Sequence, residues 1–589
     1  MPREPYLVLR DFRVWFEKRR GFFEALRKTE PHYIRAVDGI DLDVGRGEMF
    51  CLVGESGCGK TTTGKGILRL VEPSGGDVFV GVPQEVLSRY ESARRQGDEP
   101  AVEKIRRKHS LSWKERRPWT WVHLATLALA ILIAGLIATG LPAFVVASFF
   151  RLPFTSGWSL VGQGIATGLI LAFFGSVPPT RPVLRTAAVL GLLAPILFNV
   201  GAFVSLVFEA YADPGQVFGT SYWGEGATSM LGGSLFAFVA ATLTARILLS
   251  LRLRTEGLEG IKIRSLRRKL QIIFQDPYES LNPKHSVYEI VSEPLIVNGL
   301  SRNRAETEAR VEQALQDAGL RPPRDFLFRF PHELSGGQRQ RVSIAGALVL
   351  DPEFLVADEP VSMLDVSIRT EILELLLDLR EKKGLTYLFI THDLSLAWVL
   401  ADRIGVMYLG KIVEEGPTRE LIKNPRHPYT KALVSVVPVP DPDRRRDRII
   451  LKGERPDPSN IPPGCRFHPR CPVAFERCGW TSDEVIDELR TLAAGDGTQA
   501  LFASAKSDGP LSFTLSGATA DVEAAIRRLI GTKAEQSRAL KGIQTIETAD
   551  AAVRISLHAF EEPNLKSVVT DVKVSCHLFS EGSNADAAA

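Results

Sequence analysis

The stretch GEMFCLVGESGCGKTTT, residues 47–63, decides the fold of this chain of 589 residues. An apolar run, Met49 to Val53, leads into a glycine-rich turn, and a run of helical composition follows the turn. This order predicts a strand, a phosphate-binding loop of the form GxxxxGK[ST] and a helix. The sequence therefore predicts an α/β P-loop domain that binds a nucleotide.

The residues of this loop have distinct predicted roles. The glycines let successive backbone N–H groups point at phosphate oxygens, and the following helix presents its positive N-terminal end to the same anion. Lys60 is predicted to reach the β- and γ-phosphates of ATP and to act in catalysis, and the Thr61 hydroxyl is predicted to ligate Mg²⁺. The predicted nucleotide-binding residues of the loop are Gly54, Glu55, Ser56, Gly57, Cys58, Gly59, Lys60, Thr61 and Thr62.

The composition is that of a folded protein with several domains. Charged residues make up 24% of the chain and hydrophobic residues 45%, and the length exceeds that of one ordinary core. The net charge of +3 gives no indication of a nucleic-acid partner. The first residues, MPREPYLVLRDF, lack the apolar core of a secretory signal, so we expect any membrane contact to come from inside the chain.

Further motifs follow the loop in chain order, within the stretches IIFQDP, HELSGGQRQR, PEFLVADEP, SMLD and YLFITHD. Together with the loop they resemble one family, the ATP-binding-cassette (ABC) ATPases, over about residues 5–80 and 255–435. The resemblance implies a RecA-like core plus a helical subdomain, with ATP and Mg²⁺ as cofactors. The motif residues are Gln275, Ser335, Gly336, Gly337, Gln338, Asp358, Glu359, Asp365 and His392.

The resemblance and the chemistry of the side chains imply a role for each motif. Asp358, at the end of a predicted strand, is placed to hold Mg²⁺, and Glu359 is placed to polarise the attacking water as a general base. His392 is implied to be catalytic at the γ-phosphate, and Gln275 is implied to contact both the nucleotide and the metal. Tyr33, just before AVDGIDL, is the candidate for stacking on adenine.

The motif LSGGQ implies a dimer. In the family it caps the nucleotide of the opposite subunit, so Ser335 to Gln338 are implied to bind nucleotide across an interface. Asp365, in the SMLD motif, is also implied to bind nucleotide. The chain departs from the family pattern at Gly346, where an arginine usually stands. We expect this change to be tolerated, although it bears on full activity.

Longer stretches resemble the ATPase subunits of bacterial oligopeptide/dipeptide importers, among them FQDPYESLNPKHSVYEIVSEPL and NPRHPYTKAL. The resemblance implies peptide uptake, with nickel or glutathione as alternative substrates. It also implies partners: a second ABC subunit, identical or related, membrane permease subunits and an extracytoplasmic substrate-binding protein. The ATPase is then expected on the cytoplasmic face of the cytoplasmic membrane, built from residues 1–104 and 255–435.

Residues 436–589 resemble the C-terminal extension of the same importers and contain four cysteines: Cys465, Cys471, Cys478 and Cys576. Their spacing is not that of zinc ribbons or ferredoxins, so four buried thiols remain an alternative. The resemblance implies a [4Fe–4S] cluster, with Zn²⁺ as the second choice. About residues 480–570 are predicted to form a small α+β module that ordinary members lack.

Residues 105–254 contain four uncharged runs, the first of them between Arg117 and Arg151. Each run is long enough to cross a lipid bilayer, which predicts an all-α transmembrane insertion with helices at about 120–145, 158–177, 186–208 and 227–249. Basic residues at both ends of the insertion predict that both ends are cytoplasmic. Buried soluble helices are the alternative structure. Two alternative functions also stand: an insertion that is itself the translocation path, and a membrane-tethered regulatory protein with little turnover.

Overall fold

The computed structural model of the chain describes residues 3–18, 33–111, 266–301, 303–437, 447–496, 499–516, 519–533, 537–549 and 552–579. The four predicted membrane helices lie outside these residues. Within the described ranges, no helix has both the length and the apolar composition needed to cross a membrane.

A central sheet of eight strands carries the nucleotide site. Its strands, in spatial order, are β14 (Lys566–Val569), β15 (Val572–Val574), β9 (Lys411–Pro417), β8 (Arg403–Tyr408), β3 (Met49–Val53), β7 (Thr386–Thr391), β6 (Phe354–Asp358) and β5 (Leu270–Ile273). The five strands from β8 to β5 run parallel, and β9, β15 and β14 continue the sheet in antiparallel fashion. Every residue of β3, β6 and β7 is buried, as expected for central strands covered on both faces.

Alternate residues of β3 contribute to two different cores, one on each face of the sheet. Met49, Cys51 and Val53 face the larger core, whereas Phe50 and Leu52 face the other. The second core is covered by a three-stranded antiparallel sheet in the order β2, β1, β4. These strands are β1 (Pro5–Glu17), β2 (Tyr33–Gly45) and β4 (Gly75–Val80).

Among the described residues of this first part of the chain are three helices: α1 (Lys60–Ile67), α2 (Gln84–Gln96) and α3 (Glu99–His109). The last of them runs across the boundary predicted between residues 104 and 105. Val102 is buried against the same small core as Phe79 and Tyr90, and the Leu111 N–H donates to the Val78 carbonyl at 2.8 Å. The packing of the first part thus extends to residue 111.

A helical subdomain lies in the chain between β5 and β6. It consists of α4 (Pro277–Ser280), α5 (Val287–Val297), α6 (Arg304–Asp317) and α7 (Gly336–Leu348). Ser286 begins α5 and Ser335 begins α7, each with a capping box that pairs the serine with the residue three positions on. The remaining helices of the ATPase part are α8 (Val366–Lys383), α9 (Leu394–Leu400), α10 (Thr418–Lys423) and α11 (Pro428–Ser435).

The C-terminal part contains a further antiparallel sheet of four strands, in the order β10, β11, β13, β12. Its elements are α12 (Ser482–Asp496), β10 (Lys506–Gly509), β11 (Ser512–Ser516), α13 (Thr519–Lys533), β12 (Ile543–Ala549) and β13 (Ala552–Leu557). The helix predicted between two strands is confirmed, and its predicted apolar face, Val522, Ala525, Ile526 and Leu529, is buried. After this module, β14 and β15 return to the central sheet, so the ATPase sheet includes residues well beyond 435.

Candidate nucleotide-binding site

The phosphate-binding loop connects the carboxyl end of β3 to α1, as the sequence predicted. Gly59 is the N-cap of α1, with a φ of 111°, and a Cβ there would lie 2.1 Å from the Ala36 carbonyl oxygen. Any side chain at this position would therefore meet both a strained backbone and another strand. The close contact between Gly59 and β2 fixes where α1 begins. The backbone N–H groups at the start of α1 therefore point into the space that the loop encloses.

Lys60 is buried inside the loop. Its ammonium group donates to the carbonyl oxygens of Gly54, at 2.7 Å, and Glu55, at 3.0 Å. The positive charge therefore lies at the centre of the turn formed by Gly54 to Gly59, where the sequence predicts phosphate oxygens.

Thr61 and Asp358 meet at the base of the loop. The Thr61 hydroxyl donates to Asp358 Oδ1 at 2.8 Å, which joins the first turn of α1 to the end of β6. Burial raises the pKa of Asp358 above its ordinary value, and the Thr61 hydrogen bond opposes that rise. A hydroxyl and a carboxylate beside a triphosphate are the oxygen ligands that Mg²⁺ uses, so these two residues fit the predicted metal role.

Glu359 lies one residue beyond Asp358, in a left-handed backbone conformation with a φ of 45°. Its Oε2 atom accepts from Gln275 Nε2 at 3.1 Å and lies 3.1 Å from His392 Nδ1. Non-glycine residues rarely adopt this conformation, and such positions concentrate at functional sites. The amide nitrogen of Gln275 is thus directed at Glu359, and the role of Gln275 as a ligand of Mg²⁺ stays a prediction.

The LSGGQ residues stand at the start of α7. The Ser335 N–H donates to Gln338 Oε1 at 3.0 Å, and the Gln338 N–H donates to Ser335 Oγ at 3.3 Å. Gly337 is buried, and a Cβ there would lie 2.6 Å from Ile368 Cγ2, whereas Gly336 is half-buried. In the described part of the chain, no hydrogen bond joins Ser335 or Gln338 to the phosphate-binding loop.

Two further positions named from the sequence lie near this helix in the chain. Asp365 is the exposed N-cap of α8. Gly346 lies inside α7, and a Cβ there would meet no atom within 4 Å. There is therefore room for a side chain at position 346, and packing does not require a glycine there.

Tyr33 begins β2 and is 40% exposed, so its ring is accessible for stacking on a base. It lies 6.0 Å from the ring of Trp15, measured between ring centroids, and the Arg35 guanidinium lies 5.1 Å from the Trp15 ring. Sequence reasoning missed Trp15, because it is far from every motif and reaches Tyr33 only through the pairing of β1 with β2.

Two residues far along the chain also contact the loop, Tyr429 in α11 and Arg470 in the C-terminal part, and sequence reasoning missed both. Arg470 binds the Glu55 carboxylate with both terminal nitrogens, at 2.9 and 3.2 Å. The Tyr429 hydroxyl accepts from the Glu55 backbone N–H at 3.0 Å. Both partners stand more than 370 residues from Glu55 in sequence, and no local pattern indicates the pairing.

The four late cysteines are free thiols, and three of them are buried. Burial, reinforced by neighbouring thiols, raises the pKa of Cys465, Cys471 and Cys478 to about 12 in each case. Cys576 is among those neighbours for all three, so the fold brings the four side chains into one region.

Metal binding at these thiols requires thiolates in a coordinating arrangement. Across the described ranges, no group of three or more His, Cys, Asp or Glu side chains is arranged to hold a metal ion. The predictions of a [4Fe–4S] cluster and of Zn²⁺ are therefore not supported by this geometry.

Comparison with known families gives two matches. Residues 37–114 and 242–362 match the family described as "ABC transporter", and residues 413–478 match "Oligopeptide/dipeptide transporter, C-terminal region". The first match is interrupted between residues 114 and 242.

Individual relatives agree with these matches. The chain is 51% identical over 232 residues to the oligopeptide transport ATP-binding protein AppF of Bacillus subtilis, an alignment that covers 39% of this chain and 68% of AppF. It is 50% identical over 212 residues to the dipeptide transport ATP-binding protein DppF of Haemophilus influenzae, which covers 36% of this chain and 64% of DppF.

Proposed function

Because the chain belongs to the ATP-binding subunits of oligopeptide/dipeptide ABC transporters, we propose that it hydrolyses ATP to drive peptide import through separate membrane permease subunits. The observation that carries this proposal is the position of the Glu359 carboxylate. It is held by Gln275 and His392, next in sequence to the Asp358 that bonds Thr61.

Each part of the site has a defined task in this proposal. Lys60 binds the β- and γ-phosphates, and Thr61 with Asp358 would hold Mg²⁺, which when bound neutralises phosphate charge. Glu359 accepts a hydrogen bond from the attacking water and orients it toward the γ-phosphate. His392 and Gln275 fix the Glu359 carboxylate, which reduces the cost of ordering it during the reaction.

A dimer completes the site. The family implies that two such subunits associate, and Ser335, with its N–H and hydroxyl at the start of α7, would contact the γ-phosphate of the partner's nucleotide. Asp365, exposed at the start of α8, would lie at the same interface. Tyr33 would stack on the adenine, with Trp15 supporting its ring.

Peptide is the proposed substrate, because both relatives are named for oligopeptide or dipeptide transport. The proposed partners are permease subunits and an extracytoplasmic substrate-binding protein, with the ATPase on the cytoplasmic face of the membrane. Uptake of labelled di- and oligopeptides by vesicles that contain the complete transporter tests the proposal. ATP-dependent accumulation of peptide is expected, and accumulation of only nickel or only glutathione would replace peptide with that substrate.

We also propose that the four uncharged runs of residues 105–254 anchor the subunit in the lipid bilayer. The interruption of the family match and the four uncharged runs support this, with both ends of the insertion on the cytoplasmic side. Alkaline carbonate extraction of membranes from cells that express the full chain without its permease partners tests it. The chain is expected in the membrane pellet, and its release into the supernatant would contradict the anchor.

A further inference from the structure

The cysteine-containing segment of the C-terminal part, from Cys465 to Cys478, contacts both β2, which begins at Tyr33, and the phosphate-binding loop. Arg466, beside Cys465, is buried and donates to the Leu409 carbonyl at 2.6 Å and to Asp38 Oδ2 at 2.5 Å. Asp38 in turn accepts from Trp15 Nε1 at 2.9 Å, next to Tyr33. One end of the segment is therefore fixed to the part of the fold that carries the proposed adenine site.

Four residues later, the same segment reaches the phosphate-binding loop. The side chain of Arg470 is only 11% exposed, and its two-point bond to Glu55 is the geometry in which a guanidinium and a carboxylate bind most strongly. Glu55 stands inside the loop, and its carbonyl oxygen accepts from the Lys60 ammonium. The arginine thus holds a residue whose backbone forms part of the phosphate site.

Glu55 places a negative charge in a loop that binds a polyanion. Without a counter-charge, its carboxylate would repel the triphosphate and weaken its binding. Arg470 supplies that counter-charge from the side of the C-terminal segment. Arg455 adds a second guanidinium at the outer turn of the loop, where its Nη1 atom donates to the Ser56 carbonyl.

From these contacts we infer that Arg470 is a positioning residue for ATP, which sets the affinity of the phosphate-binding loop by neutralising Glu55 and fixing its backbone. The inference deepens the proposed ATPase function and rests on it. It also assigns the cysteine-containing segment a role in nucleotide binding. The α+β module contacts the same segment, since Arg538 donates to the Cys471 carbonyl and His468 Nε2 lies 3.2 Å from Glu484.

The test measures equilibrium binding of ATP and ADP to the full chain, in a Glu359→Gln background that prevents hydrolysis. Arg470→Gln is expected to raise the Kd for ATP on the order of tenfold, the usual size for a lost charged hydrogen bond. The Kd for ADP is expected to rise less, because ADP carries less negative charge. Arg448→Gln, an exposed arginine of the same C-terminal part, is the matched control and is expected to leave both constants unchanged.

The double variant Glu55→Gln/Arg470→Gln separates charge from folding. Removing both charges is expected to restore the Kd for ATP toward that of Glu55→Gln alone, and Arg470→Lys is expected to lose less affinity than Arg470→Gln. An unchanged Kd for ATP in Arg470→Gln would overturn the inference. It would also be overturned if Arg470→Gln raised the Kd for ATP and for ADP by the same factor and the double variant showed the same increase. Failure of the Glu359→Gln parent to bind ATP would instead overturn the proposed function.

Discussion

His392 Nδ1 and Glu359 Oε2 lie 3.1 Å apart, and the same carboxylate oxygen accepts from Gln275. Two residues from the ends of two different parallel strands thus hold the proposed general base. A base that is fixed before the reaction loses less entropy when it orients water, so we propose that this contact serves catalysis as well as folding.

Replacing His392 by Ala is expected to lower the rate of ATP hydrolysis about 10- to 100-fold while ATP still binds. The physical reason is that Glu359 loses one of the two side chains that contact its carboxylate and no longer orients water reliably. A steady-state phosphate-release assay with an ATP-binding measurement checks this. His558→Ala, in the α+β module, is the control, and equal rates in the two variants would contradict the role of His392.

Asp358→Asn is expected to abolish Mg²⁺-dependent hydrolysis and yet to raise the thermal stability of the protein. Burial raises the pKa of Asp358, so the folded state favours the neutral form, which asparagine imitates. Below the pKa that Asp358 has in the unfolded chain, the carboxyl is neutral in both states and does not lower the free energy of unfolding. As the pH rises from there through the raised pKa of the folded protein, the burial of the charged carboxylate lowers the free energy of unfolding.

Thermal melting at several pH values checks this. The Tm of Asp358→Asn should exceed that of the wild type near neutral pH, and the difference should disappear near pH 4, around the ordinary carboxyl pKa. A difference that instead grew toward acid would contradict the raised pKa.

Gly346→Ala is expected to increase the free energy of unfolding by about 1 kcal/mol, because glycine inside a helix costs that much relative to alanine. The added methyl group meets no atom within 4 Å. Chemical denaturation that follows the ATPase part measures the change. Gly337→Ala is the contrasting variant, since its Cβ would lie 2.6 Å from Ile368 Cγ2 and should destabilise the fold. A loss of stability in Gly346→Ala would show that the position is constrained.

The buried cysteines are expected to react slowly with alkylating reagents in the folded protein. A pKa of about 12 leaves very little thiolate at Cys465, Cys471 and Cys478 at pH 8, where unfolded cysteine is partly ionised. Mass spectrometry after timed iodoacetamide treatment should show these three sites modified at least about a hundredfold more slowly than in urea. Rapid modification in the native protein would show that the thiols are ionised or exposed.

The core of the site could be predicted from sequence, because its motifs are local. Lys60 and Thr61 lie in one loop, and Asp358 and Glu359 follow one buried strand, so neighbouring residues fix each pair. Parallel strands then bring such loop ends to one edge of the sheet. The meeting of Thr61 with Asp358 followed from that rule alone.

The remaining contacts could not be predicted, because they depend on packing between distant segments. Arg470 and Glu55 are 415 residues apart, and only the path of the C-terminal segment joins them. The return of β14 and β15 to the central sheet also depends on distant pairing, since β15 pairs with β9 and β14 pairs with β15. The contact between Gln275 and Glu359 was also not foreseen, because the direction of a side chain is not visible in a motif.

Comparing ATP hydrolysis by the wild type and by Glu359→Gln, in membranes that contain the permease partners, tests the proposed role of Glu359 as the general base. Glu381→Gln, an exposed residue of α8, is the matched control. We predict that Glu359→Gln loses at least about a hundredfold in turnover and accumulates as an ATP-bound dimer, whereas the control hydrolyses ATP like the wild type. Equal, near-zero hydrolysis in wild type and Glu359→Gln would contradict it and would favour a regulatory protein that binds ATP with little turnover.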